Sequence, residues 1–517
     1  MAADPPWRPV DRAHSVVAMK LPERVDHLIV GAGFAGICAA IKLAEDGETD
    51  LVVIEKASDV GGTWRDNTYP GACCDVPSQL YSFSFARNPE WTSSYSPQPE
   101  IWDYLRRVAD EYGVTDRTVF DTELERAAWD DEAQVWRCRT SSGEVVAKTL
   151  VTGTGGLSEP RLPDIAGIGD FEGALFHSAR WDHSVDLAGK RVAVIGTGAS
   201  AIQIVPEVQR MAAHLDVYQR TAPWVIPRND RRYPRFERLA LRHVPALARL
   251  YRTGIYWAHE GYVPAFTWQP RLGAPAEKAA TANIRKGIAD PALRARVTPT
   301  FRLGCKRVLR SNTYYPALAA ADVDLVTDPI ARISAAGVVT GEGVEHPADV
   351  IIVATGFWTT EQPVAERVVG RGGRTLAEEW ADGGMQAYKG TTVHGFPNLF
   401  MLTGPNTGQG HTSVVFVIES QVAYLRAAIR TMRECGYGAL EPRAEAQRRF
   451  NERLQRRMRH TVWSRGGCMS WYQDAQGRIT TLWPRSTFTL RRILARFDPG
   501  AYDVQAARPT PDREAVG

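Results

Sequence analysis

Two glycine-rich turns, each between a buried strand and a helix, constrain the fold of this chain more than any other feature. The first, Gly31-Ala-Gly33-Phe34-Ala-Gly36, follows the strand Asp26–Val30 and opens the helical pattern Ile37–Glu45. The next strand, Leu51–Ile54, ends at Glu55. The three glycines permit a tight turn, a close approach to a pyrophosphate and close helix–strand packing. Glu55 stands where a carboxylate can accept hydrogen bonds from a ribose, so this unit predicts a dinucleotide site.

The second glycine turn repeats this arrangement with one informative difference. The strand Lys190–Ile195 leads into Gly196-Thr197-Gly198-Ala199-Ser200-Ala201, then a helix to Met211 and a strand at Leu215–Gln219. Arg220 and Thr221 stand where the first unit has its acidic residue. A cation suits the 2′-phosphate of NADPH, whereas an acid suits a free ribose hydroxyl. The sequence therefore predicts FAD in the first site and NADPH in the second.

Composition and charge exclude several other classes of protein. The chain has 517 residues, which predicts two or three domains, and its net charge of +3 gives no drive toward nucleic acid. No apolar run reaches the roughly 18 residues of a spanning helix, so we expect no membrane insertion. The seven cysteines form no C-x-x-C pair. This argues against a disulfide scaffold, a zinc site and a dithiol flavin reductase, and we predict no metal.

A short motif between the two units carries the most specific signal. Phe171-Glu-Gly-Ala-Leu-Phe-His177-Ser-Ala-Arg-Trp181-Asp182 resembles the fingerprint of type I Baeyer–Villiger monooxygenases at every defined position. These enzymes belong to the flavin-containing monooxygenase superfamily. The plain alternative is an interdomain linker whose aromatic residues pack in a core. Because the motif is flanked by two nucleotide units, we favour the resemblance.

The resemblance assigns roles to individual residues. Arg307 would be the essential cation beside the flavin, Lys306 would hold the NADPH phosphate, and Asp75 would orient Arg307. His177 would couple domain movement to catalysis. The FAD site would comprise Gly31, Gly33, Phe34, Gly36, Glu55, Lys56, Thr63, Trp64, Asp75, Tyr81 and Val414. The NADPH site would comprise Gly196, Thr197, Gly198, Ser200, Ala201, Arg220, Thr221, Lys306 and Arg307. From composition alone, core packing for Trp64 and Tyr81, and a structural ion pair for Arg307, stay open.

The chemistry that the resemblance implies explains why an arginine is needed. NADPH reduces FAD, dioxygen forms a flavin peroxide, and the peroxide attacks a ketone to give an ester or lactone. A fixed cation stabilises the anionic peroxide and the charge of the tetrahedral adduct. The alternatives are a flavin monooxygenase that oxygenates nitrogen or sulfur, a hydroxylating relative in natural-product biosynthesis, or a redox-silent binding protein. The particular ketone and the oligomeric state stay open.

The fold we predict is α/β, with two Rossmann-like doubly wound nucleotide-binding domains and a helical insertion. The FAD domain would comprise residues 25–157 and 345–505, and the NADPH domain residues 158–344. Residues 1–24 would be a flexible tail and 506–517 a disordered tail, in a cytoplasmic protein. The insertion, about 228–297, would be amphipathic with a solvated basic face, or else a substrate cap or a surface for an acidic carrier. His411 would be a cap or loop contact, and residues 463–485 a hairpin that departs from well-known members of the family.

Overall fold

The computed structural model describes residues 19–508. Most of the two predicted tails therefore lies outside the described residues, although Ala506 belongs to a strand. The first glycine unit forms where the sequence predicts it. Strand β1 (Arg24–Val30) leads into helix α1 (Phe34–Glu45), and strand β2 (Leu51–Ile54) follows. The wholly buried β2 and the nine buried residues of α1 agree with a parallel sheet that is covered by helices.

The rest of the first segment extends this sheet. Its elements are α2 (Thr63–Asp66), α3 (Gln98–Glu111), a 3₁₀ turn at Thr115–Arg117, β3 (Thr118–Val119), β4 (Leu124–Asp130), β5 (Val135–Thr140) and β6 (Gly143–Thr152). Strands β6, β1, β2 and β3 run parallel, whereas β4, β5 and β6 form an antiparallel meander. The parallel strands bring the turn after β1 to the carboxyl edge of the sheet.

The middle of the chain builds the second nucleotide-binding domain. In chain order its elements are β7 (Ala174–His177), a 3₁₀ turn at Ser178–Arg180, β8 (Arg191–Ile195), α4 (Ala201–Gln209), β9 (His214–Tyr218), β10 (Val225–Ile226), α5 (Arg235–His243), α6 (Pro245–Glu260), α7 (Val263–Thr267), a 3₁₀ turn at Pro270–Gly273, α8 (Ala274–Gly287), α9 (Pro291–Arg296), β11 (Leu309–Arg310), α10 (Tyr314–Leu318), β12 (Val323–Val326), β13 (Ile330–Ser334), β14 (Gly337–Thr340), β15 (Glu345–Pro347) and β16 (Val350–Val353). Helices α5 to α9 occupy the predicted insertion.

The last segment returns to the first sheet. It comprises α11 (Val364–Arg367), β17 (Val368–Val369), a 3₁₀ turn at Arg371–Gly373, α12 (Leu376–Trp380), β18 (Leu399–Met401), α13 (Val414–Cys435), β19 (Tyr437–Pro442), α14 (Ala444–Met458), α15 (Val462–Arg465), α16 (Thr487–Leu494), a 3₁₀ turn at Pro499–Ala501 and β20 (Tyr502–Ala506). Strand β17 pairs with β4, and β18 pairs with β6. Residues 463–485 contain the expected turn at Asp474–Gly477, with one isolated bridge between Gln473 and Ile479 in place of regular strands.

The second sheet has the order β12-β9-β8-β16-β7, with all neighbours parallel. Because β16 lies between β8 and β7, the second sheet extends to Val353. The chain therefore crosses back to the first sheet between Val353 and Val368, beyond the boundary expected at residue 345. The motif that contains His177 includes β7, the outer strand of the second sheet, and it therefore lies beside the crossing that follows β16.

Candidate functional site

The first glycine turn leaves no room for side chains at Gly31 and Gly36. Gly31 has φ +99°, and a Cβ on Gly36 would lie 1.8 Å from the carbonyl oxygen of Gly31. A Cβ on Gly62 would lie 3.4 Å from Cα of Gly33, so two bare backbones face each other. Together with the amino end of α1, this forms a cradle without side chains that fits the pyrophosphate of FAD.

Glu55 occupies the expected place at the end of β2. It is buried and accepts hydrogen bonds from the backbone N–H of Ala32, at 2.8 Å, and from Arg65, at 3.0 Å. The sequence reasoning did not find Arg65, because an arginine on a four-residue helix gives no signal. Lys56 forms an ion pair with Glu159 in the crossing after β6.

Three of the predicted flavin-side residues form one aromatic group. The rings of Phe34 and Tyr81 meet edge to face at 5.2 Å, and the indole N–H of Trp64 donates to the Tyr81 hydroxyl at 3.0 Å. Trp64 follows Thr63, the first residue of α2. The group packs against the hydrophobic core that contains α1. A role in core packing therefore explains the contacts of Trp64 and Tyr81 as well as a role beside the flavin does.

The second glycine turn differs from the first in being open. Gly196 has φ +120°, and a Cβ there would lie 2.5 Å from the Ala354 carbonyl oxygen. A Cβ on Gly198 would meet nothing within 4 Å, so this glycine borders open space. The Thr197 hydroxyl donates to the Thr221 carbonyl at 3.1 Å, which fixes the turn against the end of β9. Ser200 and the buried Ala201 then begin α4.

Two cations lie together beyond this turn. Burial lowers the pKa of Lys306, and the positive charge of Arg220 lowers it further. Arg220 is exposed, and no carboxylate pairs with either side chain among the described residues. Two neighbouring cations of this kind have the charge that an anion such as the 2′-phosphate of NADPH would require.

Arg307 and Asp75 form the central ion pair of the site. The guanidinium Nε and Nη2 lie 2.6 Å from the two carboxylate oxygens, a bidentate arrangement between the two domains. Burial alone would raise the pKa of Asp75, but the charge and hydrogen bonds of Arg307 hold it below its usual value. The charge of Asp75 raises the pKa of Arg307, so this arginine stays a cation.

A disulfide bond lies two residues before Arg307. Cys305 is bonded to Cys468, which is 163 residues away in the sequence. The cysteine pattern had argued only against a disulfide scaffold, and it gave no sign of this single bond, because distant partners leave no spacing signal. The bond ties the Lys306-Arg307 segment to the segment of Tyr472. Burial raises the pKa of Tyr472 to about 12, while the nearby Arg307 opposes this shift.

His177 ends β7, opposite Val353 in β16. Its Nδ1 accepts a hydrogen bond from the Ala179 N–H at 3.1 Å, and its ring meets Phe357 edge to face. Burial lowers the pKa of His177 to about 4, so the imidazole is neutral at physiological pH. Among the described residues, its buried Nε2 has no hydrogen-bond partner. His177 therefore lies beside the segment in which the chain crosses between domains.

Other contacts of the motif join it to the first domain. The Arg180 guanidinium lies 3.9 Å from the Asp66 carboxylate. The Thr68 hydroxyl forms a 2.7 Å hydrogen bond with Nε2 of His183, the residue that follows the motif. A further bridge, missed from the sequence, is Gln203 on α4. It accepts a hydrogen bond from the Tyr69 hydroxyl at 3.0 Å and donates to the Cys73 carbonyl at 3.0 Å. The side chains of the two domains thus meet around residues 66–75.

Val414 is the first residue of α13. The Ser413 hydroxyl caps the amino end of this helix by accepting a hydrogen bond from the Val415 N–H. In the loop before it, His411 lies 3.3 Å from Glu260, the last residue of α6, and both side chains are buried. Burial would raise the pKa of Glu260, but His411 and Thr487 hold it below its usual value. His411 is thus a contact between the helical insertion and the loop that precedes α13.

The fold and this site together define a class of protein. Two dinucleotide-binding domains, with two neighbouring cations at one site and an arginine held by a carboxylate of the other domain, are the arrangement of a pyridine-nucleotide-dependent flavoprotein. In residues 19–508 we find no helix of the length and apolarity that crossing a membrane requires.

Comparisons with known proteins identify the family within this class. Residues 28–246 match the family model described as pyridine nucleotide-disulphide oxidoreductase. A Baeyer–Villiger monooxygenase of Streptomyces coelicolor is 50% identical over 491 residues, covering 95% of this chain and 94% of the relative. The OTEMO complex with FAD and NADP has a TM-score of 0.84 at 27% identity, covering 93% and 99%. The closed crystal structure of cyclohexanone monooxygenase has a TM-score of 0.84 at 28% identity, covering 94% and 100%.

The chain belongs to the Baeyer–Villiger monooxygenase family. It is an enzyme, an NADPH-dependent flavoprotein monooxygenase with FAD as its second cofactor. The predictions of family, fold class, cofactors and reaction type are confirmed. The roles of individual residues, the domain boundaries and the substrate stay predictions.

Proposed function

We propose that this enzyme converts a ketone into an ester or lactone, and that Arg307 and Asp75 carry the reaction. The observation that supports this most is the bidentate ion pair, at 2.6 Å, between a residue of each nucleotide-binding domain. The name of cyclohexanone monooxygenase, a structural neighbour, adds support for a ketone substrate. We further propose that the enzyme acts in the cytoplasm, where NADPH is available.

In this proposal the first domain binds FAD. The backbone around Gly31, Gly33 and Gly36 would hold the pyrophosphate. Glu55 would accept hydrogen bonds from the ribose hydroxyls while it also accepts one from Arg65. Phe34, Trp64, Tyr81 and Val414 would border the rest of the cofactor. When bound and reduced, FAD activates dioxygen for insertion beside a carbonyl.

The second domain would bind NADPH through the backbone of Gly196 and Gly198. Arg220 and Lys306 would contact the 2′-phosphate, because these two cations lie together without a carboxylate partner among the described residues. Lys306 also adjoins Arg307 in the sequence, so binding of the phosphate and placement of the catalytic arginine would be connected.

Arg307 would stabilise the negative charge that develops on the carbonyl oxygen when the ketone is attacked. A fixed cation contributes strongly there because it needs no reorganisation during the reaction. Asp75 holds the guanidinium by two hydrogen bonds and raises its pKa, so the charge would persist over the working pH range. His177, neutral and placed at the crossing between domains, would be a positioning residue.

The test is to incubate the purified enzyme, FAD, NADPH and dioxygen with a panel of cyclic and linear ketones. We expect a product that has gained one oxygen atom, with NADPH used faster than NADH. Amines and sulfides in the same panel test the nitrogen- or sulfur-oxygenating alternative. Oxygenation of those heteroatoms without any ester would overturn the proposal.

A further inference from the structure

The helical insertion exposes apolar residues along one face of α6. Leu247, Leu250, Gly254 and Trp257 recur at positions i, i+3, i+7 and i+10, which places them on one side of the helix. Leu250 is 70% exposed and Trp257 is 56% exposed. A surface helix normally turns this kind of stripe toward the core.

The neighbouring helices extend this surface. On α5, Phe236 is 75% exposed and Leu239, three residues later, is also exposed. The ring of Trp257 lies 5.9 Å from that of Phe488 on α16, which is exposed as well. We call the following set the apolar face: Phe236, Leu239, Leu247, Leu250, Trp257 and Phe488.

The opposite side of α6 shows that this orientation is fixed by specific contacts. Arg252 points inward and donates hydrogen bonds to the carbonyl oxygens of Gln79, at 2.8 Å, and Ser82, at 3.0 Å. Tyr256 stacks on Phe416 at 5.0 Å, and its hydroxyl lies 3.1 Å from that of Thr487. The inward-pointing Arg252 departs from the solvated basic face that the sequence favoured, whereas Arg235, Arg242 and Arg249 are exposed.

Exposed arginines flank the apolar face. Residues 228–297 hold 14 Lys and Arg against five Asp and Glu, a net charge of +9, so the rest of the chain has −6 to give the total of +3. Arg235 and Arg249 are exposed beside Phe236 and Leu250, and Arg491 and Arg492 are exposed on α16 near Phe488. A large exposed apolar surface with a basic rim indicates a binding site.

We propose that the apolar face docks this enzyme on the surface of an anionic phospholipid bilayer. Exposed Leu, Phe and Trp side chains would enter the boundary between headgroups and acyl chains, while the arginines contact the anionic headgroups. A second copy of the chain fits less well, because it would bring the same +9 charge against this one. The helix lies on the bilayer and does not cross it.

This placement has a consequence for the substrate that rests on the proposed function. Phe416, on which Tyr256 of α6 stacks, is two residues from Val414 at the start of α13. Helix α6 thus separates the docked surface from the proposed flavin side. Docking would therefore bring a ketone dissolved in the bilayer within the width of one helix of the proposed flavin side.

Vesicle flotation tests the docking itself, without any catalytic readout. The FAD-loaded enzyme is floated with vesicles of phosphatidylglycerol and phosphatidylcholine in equal parts, and with phosphatidylcholine alone. We expect flotation only with the anionic vesicles, and weaker flotation as salt is raised, because salt screens the arginines. Leu250→Glu and Trp257→Glu should each weaken partitioning by roughly tenfold or more.

Val344→Glu provides a matched control. It makes the same change at an exposed apolar residue in the turn between β14 and β15, outside the insertion, and should leave flotation unchanged. Retained FAD shows that each variant is folded. The proposal fails if the wild-type enzyme does not float, or if it floats equally with neutral vesicles. It also fails if the enzyme forms a dimer that Leu250→Glu dissociates, because the face then belongs to a second copy.

Discussion

Arg307 and Asp75 lie 2.6 Å apart at both of their hydrogen bonds, and they come from different nucleotide-binding domains. The pair therefore forms only when the two domains meet correctly. Neither residue has its proposed role alone, because the carboxylate fixes the direction of the guanidinium and the arginine keeps the carboxylate charged.

Replacing the cation should remove ester formation while sparing FAD binding. For Arg307→Ala we expect a loss of roughly 10²–10³-fold in kcat for the ketone, as for other fixed stabilisers of an oxyanion. Arg191→Ala is the control, since Arg191 forms a similar but exposed pair with Asp349 at the amino ends of β8 and β16. Stopped-flow assays of product formation measure both, and an Arg307→Ala enzyme with normal turnover would contradict the assigned role.

Asp75→Asn should reveal the ion pair through the pH dependence of stability. Because the folded pKa of Asp75 is lowered, the carboxylate contributes stability above its unfolded pKa of about 3.9 and loses it as pH falls through the folded value. We expect the variant to be less stable by roughly 2 kcal/mol at neutral pH. Thermal midpoints of both proteins should converge only in acid below pH about 4. A constant difference into strong acid would show that another effect is responsible.

Selection between NADPH and NADH should depend on the two neighbouring cations Arg220 and Lys306. Arg220→Ala and Lys306→Ala should each raise KM for NADPH by roughly 10- to 100-fold, the loss expected for a charge-assisted hydrogen bond. The KM for NADH should hardly change. Arg210→Ala removes an exposed arginine of the same domain that is paired with Glu207, and it should affect neither nucleotide. An equal rise in KM for both nucleotides would show that the two cations do not contact the 2′-phosphate.

His177 should destabilise the enzyme in mild acid. Its folded pKa of about 4 lies below the unfolded value of about 6.5, so the unfolded chain takes up the proton first. Stability is therefore lost as pH falls from about 6.5 to about 4, by up to roughly 3 kcal/mol, and is unaffected above that window. Thermal midpoints across this range should fall more steeply for the wild type than for His177→Gln. Parallel curves would mean that the imidazole is not buried in its neutral form.

The sequence predicted the parts of the fold that depend on local patterns. The glycine turns, β1, α1 and β2 lie within a few residues of their expected bounds, because apolar runs and turn residues act over short distances. The position of Arg307 beside Asp75 was also expected, but only through family resemblance. Residues 232 positions apart leave no local signal of their contact.

What the sequence did not predict depends on tertiary packing. Helical periodicity places Leu247 and Leu250 on one face of α6, but it does not give the direction in which that face points. Inward hydrogen bonds of Arg252 decide the direction, and they reach residues far along the chain. The same reason explains why Gln203 and the Cys305–Cys468 bond were missed.

Product analysis under ¹⁸O₂, with a reactive ketone and NADPH, tests the proposed reaction most directly. We expect an ester or lactone that carries one labelled oxygen atom, with one NADPH oxidised for each product molecule. Arg307→Ala should still oxidise NADPH but release hydrogen peroxide without ester. An unlabelled product, or wild-type enzyme that makes only hydrogen peroxide with every ketone, would contradict it.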